Sequence, residues 1–257
     1  MKKLIILIYT LTFLSMSLLN AQDAKEIVNN STKAIMSDAM EMTSTLKIYD
    51  NKGNVRTRQV KNTTKKFGDA TKTMIKFLSP ADVQGTGMLI YDYEEKDDDM
   101  WVYLPSLKKT RRIVSSEKSS SFMGSEFSNS DMSKPKMSDY EYKLLGTETI
   151  NGKEYYKIES TCKSPEIETS ENFKRKIAYI EKVTYLPYKT ETYDKDNKLI
   201  KTITMTDYRK QTNGKYMAYK MVAENNKNGR KSEIIITSFV TTSSLEENYF
   251  STSNLEK

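Results

Sequence analysis

The 257-residue chain contains no histidine. Imidazole is the usual general base near neutral pH, a common zinc ligand and the group that activates Ser and Cys nucleophiles, so those mechanisms are excluded as a class. Cysteine is almost as scarce: Cys162 stands alone, which rules out an internal disulfide and predicts a thiol buried in a sheet. With five prolines and nine glycines, the chain has no Pro/Gly/Ser-rich linker between two differently patterned halves. One domain over residues 22–257 is expected, long enough to bury a sizeable core. The excess charge is modest and spread out. The formal charge is +7 from 41 basic and 34 acidic residues, and Lys alternates with Asp and Glu as on a solvated face, so no nucleic-acid partner is expected.

Only one long hydrophobic run exists, Leu4 to Leu19. Lys2 and Lys3 precede it and Asn20-Ala21 follows, the pattern of a cleavable signal peptide over residues 1–21. A spanning helix needs about 20 apolar residues, so a retained anchor is the alternative. No Cys lies near the cut, and lipidation of the chain itself is not expected.

Carboxylate catalysis of the glycosidase kind survives the lack of histidine, but Asp and Glu are scattered. The acidic run Glu94, Glu95, Asp97, Asp98 and Asp99 lacks the alternating spacing and distal Glu of a calcium loop. The serines around Phe122 have no G-x-S-x-G context. No enzyme activity, cofactor or metal is expected.

What is present is β pattern. Asp23 and Glu26 resemble a capping box, with Val28, Thr32, Ile35, Ala39 and Met42 at helical spacing, predicting a helix over 23–40. After it, Asn51 to Asn54, Asn151-Gly152, Asp194 to Asn197, Asn213-Gly214 and Asn228-Gly229 punctuate runs rich in Ile, Val, Thr and Tyr. Strands are predicted to begin near residues 42, 56, 72, 87, 100, 110, 140, 154, 175, 188, 199, 216 and 232. So many antiparallel strands should curl into an incomplete barrel too wide to fill with its own wall residues. Lys72, Lys76, Lys182, Lys201 and Lys220 lie inside strands and mean hydropathy is −0.67, which argues against an outer-membrane barrel. Helices are too few to cover the greasy face. A lipid-like ligand is the leading candidate to do so.

Five pieces of the chain carry a family resemblance: Phe77-Leu78-Ser79-Pro80, Gly85-Thr86-Gly87-Met88-Leu89, Met100 to Pro105, Arg111-Arg112-Ile113 and Phe122-Met123-Gly124-Ser125-Glu126-Phe127. Together they resemble the outer-membrane lipoprotein-sorting protein family, related to the LolA/LolB-like periplasmic lipoprotein carriers. The resemblance implies a curved, incomplete β-barrel with helices over its open concave side, an acyl-binding cavity and a periplasmic location. It also implies pairing with inner-membrane transporters of the resistance-nodulation-division type. On this reading Phe122, Met123, Phe127 and Met132 form a lid with Gly124 as its hinge, or simply anchor a long loop.

The expected inner wall comprises Ile75, Phe77, Leu89, Tyr91, Trp101, Tyr103, Ile180, Ile203, Met205, Met221, Ile235 and Phe239. Trp101 could equally pack in the core beneath the Leu104-Pro105 turn. Lys108, Lys109, Arg111 and Arg112 form the one dense basic cluster, suited to lipid head groups or an acidic partner. Three functions follow: a monomeric carrier of lipids or lipoproteins, a non-carrying adaptor of a transporter or envelope complex, and a carboxylate hydrolase.

Overall fold

The computed structural model describes residues 23–241 and 244–257, so the expected signal peptide lies outside the described residues. Thirteen strands form among them. Six come first: β1 (Ala39–Tyr49), β2 (Val55–Phe67), β3 (Ala70–Ser79), β4 (Gly87–Tyr93), β5 (Asp99–Leu104) and β6 (Lys109–Ile113). Seven follow a long crossing segment: β7 (Tyr140–Ile150), β8 (Lys153–Cys162), β9 (Arg175–Glu181), β10 (Pro187–Tyr193), β11 (Leu199–Lys210), β12 (Tyr216–Asn225) and β13 (Lys231–Val240). Each start falls close to the expected one, the largest difference being residue 42 against Ala39. The reason is local turn chemistry: Asn151 and Gly152, for example, have φ of 49° and 77°, the paired positive values that a tight hairpin needs.

All strands join one antiparallel sheet in the order β6-β5-β4-β3-β2-β1-β13-β12-β11-β10-β9-β8-β7. The sheet is not closed. Its two edges, β6 and β7, are consecutive in sequence, so residues 114–139 must travel from one edge to the other. The route measures the curvature. Asp131 pairs with Lys201 on β11, while three residues later the Lys134 N–H donates to Asp92 on β4 at 3.1 Å. Those strands are six steps apart in the sheet order, roughly 29 Å if flat at about 4.8 Å per step. Three residues reach at most about 11 Å. The sheet therefore folds over the crossing segment.

Helix α1 (residues 23–35) lies on the same inner face. Ala24, Ile27 and Ser31 are buried on it, and Ala24 and Ile27 pack against Ile158 of β8 and Ile180 of β9. The helix is shorter than expected, and its buried stripe is rotated from the predicted one. Ala39 and Met42 belong to β1, where Ala39 opposes Lys65 and Met42 sits between Asn62 and Phe239. Ladder pairing on both sides outweighs helical continuation there. Two short helices complete the fold, α2 (Pro165–Glu171) and α3 (Thr252–Leu255). The C-terminal segment covers the outer face of β3 to β5, burying Phe250 and Leu255 against Met74 and Leu89.

Candidate ligand hollow and its plug

Residues 114–139 contain serines, asparagines and aspartates with no period-2 pattern, and they fold into short 3-10 turns at Ser115–Glu117, Phe122–Gly124, Ser130–Met132 and Met137–Asp139. At the centre the chain doubles back: the Phe122 N–H donates to the Phe127 carbonyl at 2.8 Å, and the Ser125 hydroxyl caps the Phe122 carbonyl at 2.7 Å. This bend needs φ of 50° at Met123 and 77° at Gly124. A left-handed Met is unusual and is strained by about 1–3 kcal/mol. The effect is to aim both phenylalanines at the sheet.

Phe122 and Phe127 are each 2% exposed. They complete an apolar cluster with Leu46, Ile48, Ile75, Phe77, Met88 and Ile90, and Met123, Met132, Ile203 and Met221 pack on its margin. The Phe122 and Phe77 rings are 5.8 Å apart. Thus the apolar part of the hollow is filled by the protein's own side chains. The segment is tied down by polar contacts: Arg58 donates to the Met123 carbonyl, the Glu126 N–H to the Ser232 hydroxyl at 3.0 Å, and Arg230 pairs with Glu126 at 2.9 Å.

The structure divides the expected inner wall. Ile75 and Phe77 belong to the cluster that Phe122 and Phe127 complete, Ile203 and Met221 pack on its margin, Met205 faces Met221 across the ladder, and Ile180 lies under α1. Leu89, Tyr91, Trp101 and Tyr103 are corrections: they occupy the outer face beneath Phe250 and Leu255. The register explains this, because Met74, Leu89 and Trp101 are aligned across three strands while Ile75, Met88 and Val102 are aligned on the other side. Trp101 packs edge-on against Tyr91 at 5.1 Å rather than into the hollow. Ile235 is a second correction, since the buried inner residues of β13 are its neighbours Ile234 and Ile236. Phe239 is half-buried opposite Met42, outside the clusters.

The basic cluster sits at the β6 edge. All four residues are exposed; Arg111 is engaged by Glu117 at 2.7 Å and Arg112 by Asp99. Among the described residues no group of His, Cys, Asp and Glu could hold a metal ion. Cys162 is half-buried, and burial, then the Glu171 carboxylate, push its thiol up to about 12.

Two open spaces flank the plug. One, of about 280 Å³, lies between α1 and residues 134–138 and includes Asp92. Burial first, then the Asp98 carboxylate, push Asp92 up to about 7, against the Lys134 N–H and the Lys134 and Lys118 ammonium groups. The other is a cleft of about 310 Å³ beside Phe127, lined by serines of the plug and by Lys176, Thr192 and Lys201. Burial lowers Lys176 below the usual lysine value, despite Asp131 and Glu171 nearby. For Asp131, burial works the other way, but Lys201 foremost, with Lys176 and the Ser128 N–H, holds the carboxyl below its ordinary range. The sequence reading missed this polar cleft; its one signal was that Lys176 shares a strand face with Ala178 and Ile180.

Comparison with known proteins sets this geometry in context. A family model described as an uncharacterized protein matches residues 69–257. A domain described as an outer membrane lipoprotein-sorting protein from Vibrio parahaemolyticus superposes with a TM-score of 0.86 at 28% identity, over 93% of this chain and 100% of its own. A DUF1329 family protein from Desulfovibrio piger gives 0.85 at 30% identity, over 92% and 99%. A LolA superfamily protein from Nitrosomonas europaea shares the fold, with a TM-score of 0.71 at 19% identity over 90% and 98%. No curated protein matches the chain.

Proposed function

Because the chain belongs to the DUF1329 family and shares its fold with a protein described as a lipoprotein-sorting domain, we propose that it is a periplasmic carrier that takes acyl chains of lipids or lipoproteins into the hollow now occupied by Phe122 and Phe127, and shuttles them between envelope membranes. The single observation that carries the reading is the plug. It is an apolar insertion of four large side chains on a segment that joins no strand of the sheet, bent through a left-handed Met, beside open clefts.

Magnitudes favour exchange over permanent occupation. Exposing four such side chains costs about 1.5–3 kcal/mol each, roughly 6–12 kcal/mol together, while burying an acyl chain of about sixteen carbons at about 0.8 kcal/mol per CH₂ returns roughly 13 kcal/mol. The difference, about 1–7 kcal/mol, favours cargo. Cargo can therefore enter by displacing the plug, and its release draws on the returning plug together with the acceptor. Met123 and Met132 suit a surface that must repack against chains of differing shape. Residues 22–257 act as one domain in this reading, with an inner-membrane transporter as donor or acceptor partner and Lys108 and Lys109 available for head-group or partner docking.

The filled hollow also favours a second reading, in which the chain is an adaptor that carries nothing. Lipid extraction and native mass spectrometry of protein prepared without detergent separate the two. The carrier reading expects copurified acyl lipid, with its yield changed severalfold in Phe122→Asp and Phe127→Asp variants. Lipid-free protein that gains no lipid on incubation with envelope membranes, in wild type and variants alike, would overturn it and leave the adaptor.

A further inference from the structure

Within the inner face, one row is polar. Ladder register aligns Lys176 of β9, Thr192 of β10 and Lys201 of β11 directly across three neighbouring strands, and continues to Ser160 on β8 and Asn225 on β12. Two residues along the same face, the matching row is Ile158, Ala178, Thr190, Ile203 and Ala223. A stripe of cations and hydroxyl groups thus borders the apolar wall at the mouth of the cleft beside Phe127.

The charges in the cleft do not cancel. The Lys201 ammonium is taken up by Asp131, whose other contacts include the Ser128 N–H at 2.8 Å. Glu126 is held by Arg230 and Asn225. Lys176, by contrast, has no carboxylate within ion-pair distance among the described residues, and its ammonium rests 4.2 Å from the Phe173 ring. Asp131, shared with Lys201, and then Glu171, which lines the cleft, act on Lys176 only from farther away. Such a half-buried ammonium, with no carboxylate at contact distance, carries a partial desolvation cost. It is tolerated where an anion is to be bound, because a phosphate-class group supplies several acceptor oxygens for lysine, threonine and serine donors at once.

We propose that Lys176, with Thr192 and Lys201, forms a binding site for a phosphate-class anion. Its source is either the phosphodiester head of an acyl lipid whose tail runs along the adjoining apolar row, or free phosphate. The head-group source rests on the carrier reading; the anion site itself does not.

The test is thermal unfolding of the full chain, wild type and Lys176→Met, titrated with inorganic phosphate, with dihexanoyl phosphatidylglycerol and with the neutral dihexanoyl glycerol of the same chain length. Lys176→Met is chosen because the native ammonium has no ion pair at contact distance to break and the methionine can keep the packing on Phe173, so the unliganded variant should melt close to wild type. A melting shift with phosphate or the phospholipid that weakens tenfold or more in Lys176→Met supports the site. If the phospholipid alone gives this result, the carrier reading is supported with it. If phosphate alone gives it, the site stands and its head-group role falls. Equal binding of the neutral and anionic lipids by both proteins would leave the carrier reading intact and overturn the anion site, as would no shift with either anion. Asp131→Asn provides the control of opposite sign: removing the competing carboxylate should tighten anion binding severalfold.

Discussion

Two segments without strand structure cover this sheet, and they are fastened differently. The C-terminal segment on the outer face buries Phe250 and Leu255 at 1% and 0% exposure. Its helix α3 is capped by Ser251, and Lys76 donates to the carbonyls of Asn254 and Leu255, both at 2.8 Å. Lys72 holds Glu247 at 2.7 Å. Even the strand beneath is shaped to fit: a Cβ at Gly87 would lie 2.6 Å from Leu255 Cδ1 and 3.2 Å from the Ile75 carbonyl oxygen. The plug buries a similar apolar payload on the inner face, but its turn is strained at Met123 and its flanks open onto clefts. Both segments are tied by polar contacts, the plug through Arg58, Ser232 and Arg230; on the carrier reading, the left-handed Met and the flanking clefts are what let the plug exchange while the C-terminal segment stays.

The comparison can be broken most severely at its fixed side. Phe250→Ala should cost about 3–5 kcal/mol of global stability, as for other large aromatic deletions in a core, measured by urea unfolding. On the plug, Phe122→Ala with Phe127→Ala should cost clearly less than the roughly 6–10 kcal/mol that two independent core sites would lose. Once closing the plug is no longer favourable, the open form sets the floor. Hydrogen exchange should then be fast across residues 118–132 while the strands stay protected. Full additivity with uniform loss of protection would erase the distinction between the two segments.

A smaller effect sharpens it at the end of the plug. Asp92 binds its proton up to about pH 7 in the folded protein and only to about 4 when unfolded. The folded state therefore holds more protons between those values. Its extra stability is complete below about pH 4 and is lost as pH rises to about 7. The span should be roughly 2–4 kcal/mol, and Asp92→Asn should flatten it in pH-dependent unfolding. The smallest expected change is Gly124→Ala, about 1 kcal/mol, because a side chain at φ of 77° is strained although no atom crowds it.

Much of this was legible in the residues. Strand positions followed from Asn-Gly and Asp-Asn turns, whose backbone demands are local, and the plug from large apolar residues stranded among serines. Strand faces were less readable. In β4, Gly87 to Ile90 are all buried, because the plug covers one side and the C-terminal segment the other, so alternation carries no signal there and Leu89 and Met88 look alike. The C-terminal contribution was hidden because Phe250 and Leu255 are isolated in sequence and meet only through the fold. Lys176 and Lys201 have nothing in sequence to set them apart from the many other strand lysines; only the ladder register places them in one row.

The most direct measurement is hydrogen exchange on the detergent-free protein titrated with a single-chain phosphatidylglycerol below its micelle concentration. Exchange with cargo for the plug predicts that residues 118–132 lose protection as lipid binds, while residues 247–256 keep theirs. Binding that leaves 118–132 as protected as before, or no binding at any concentration, would contradict it.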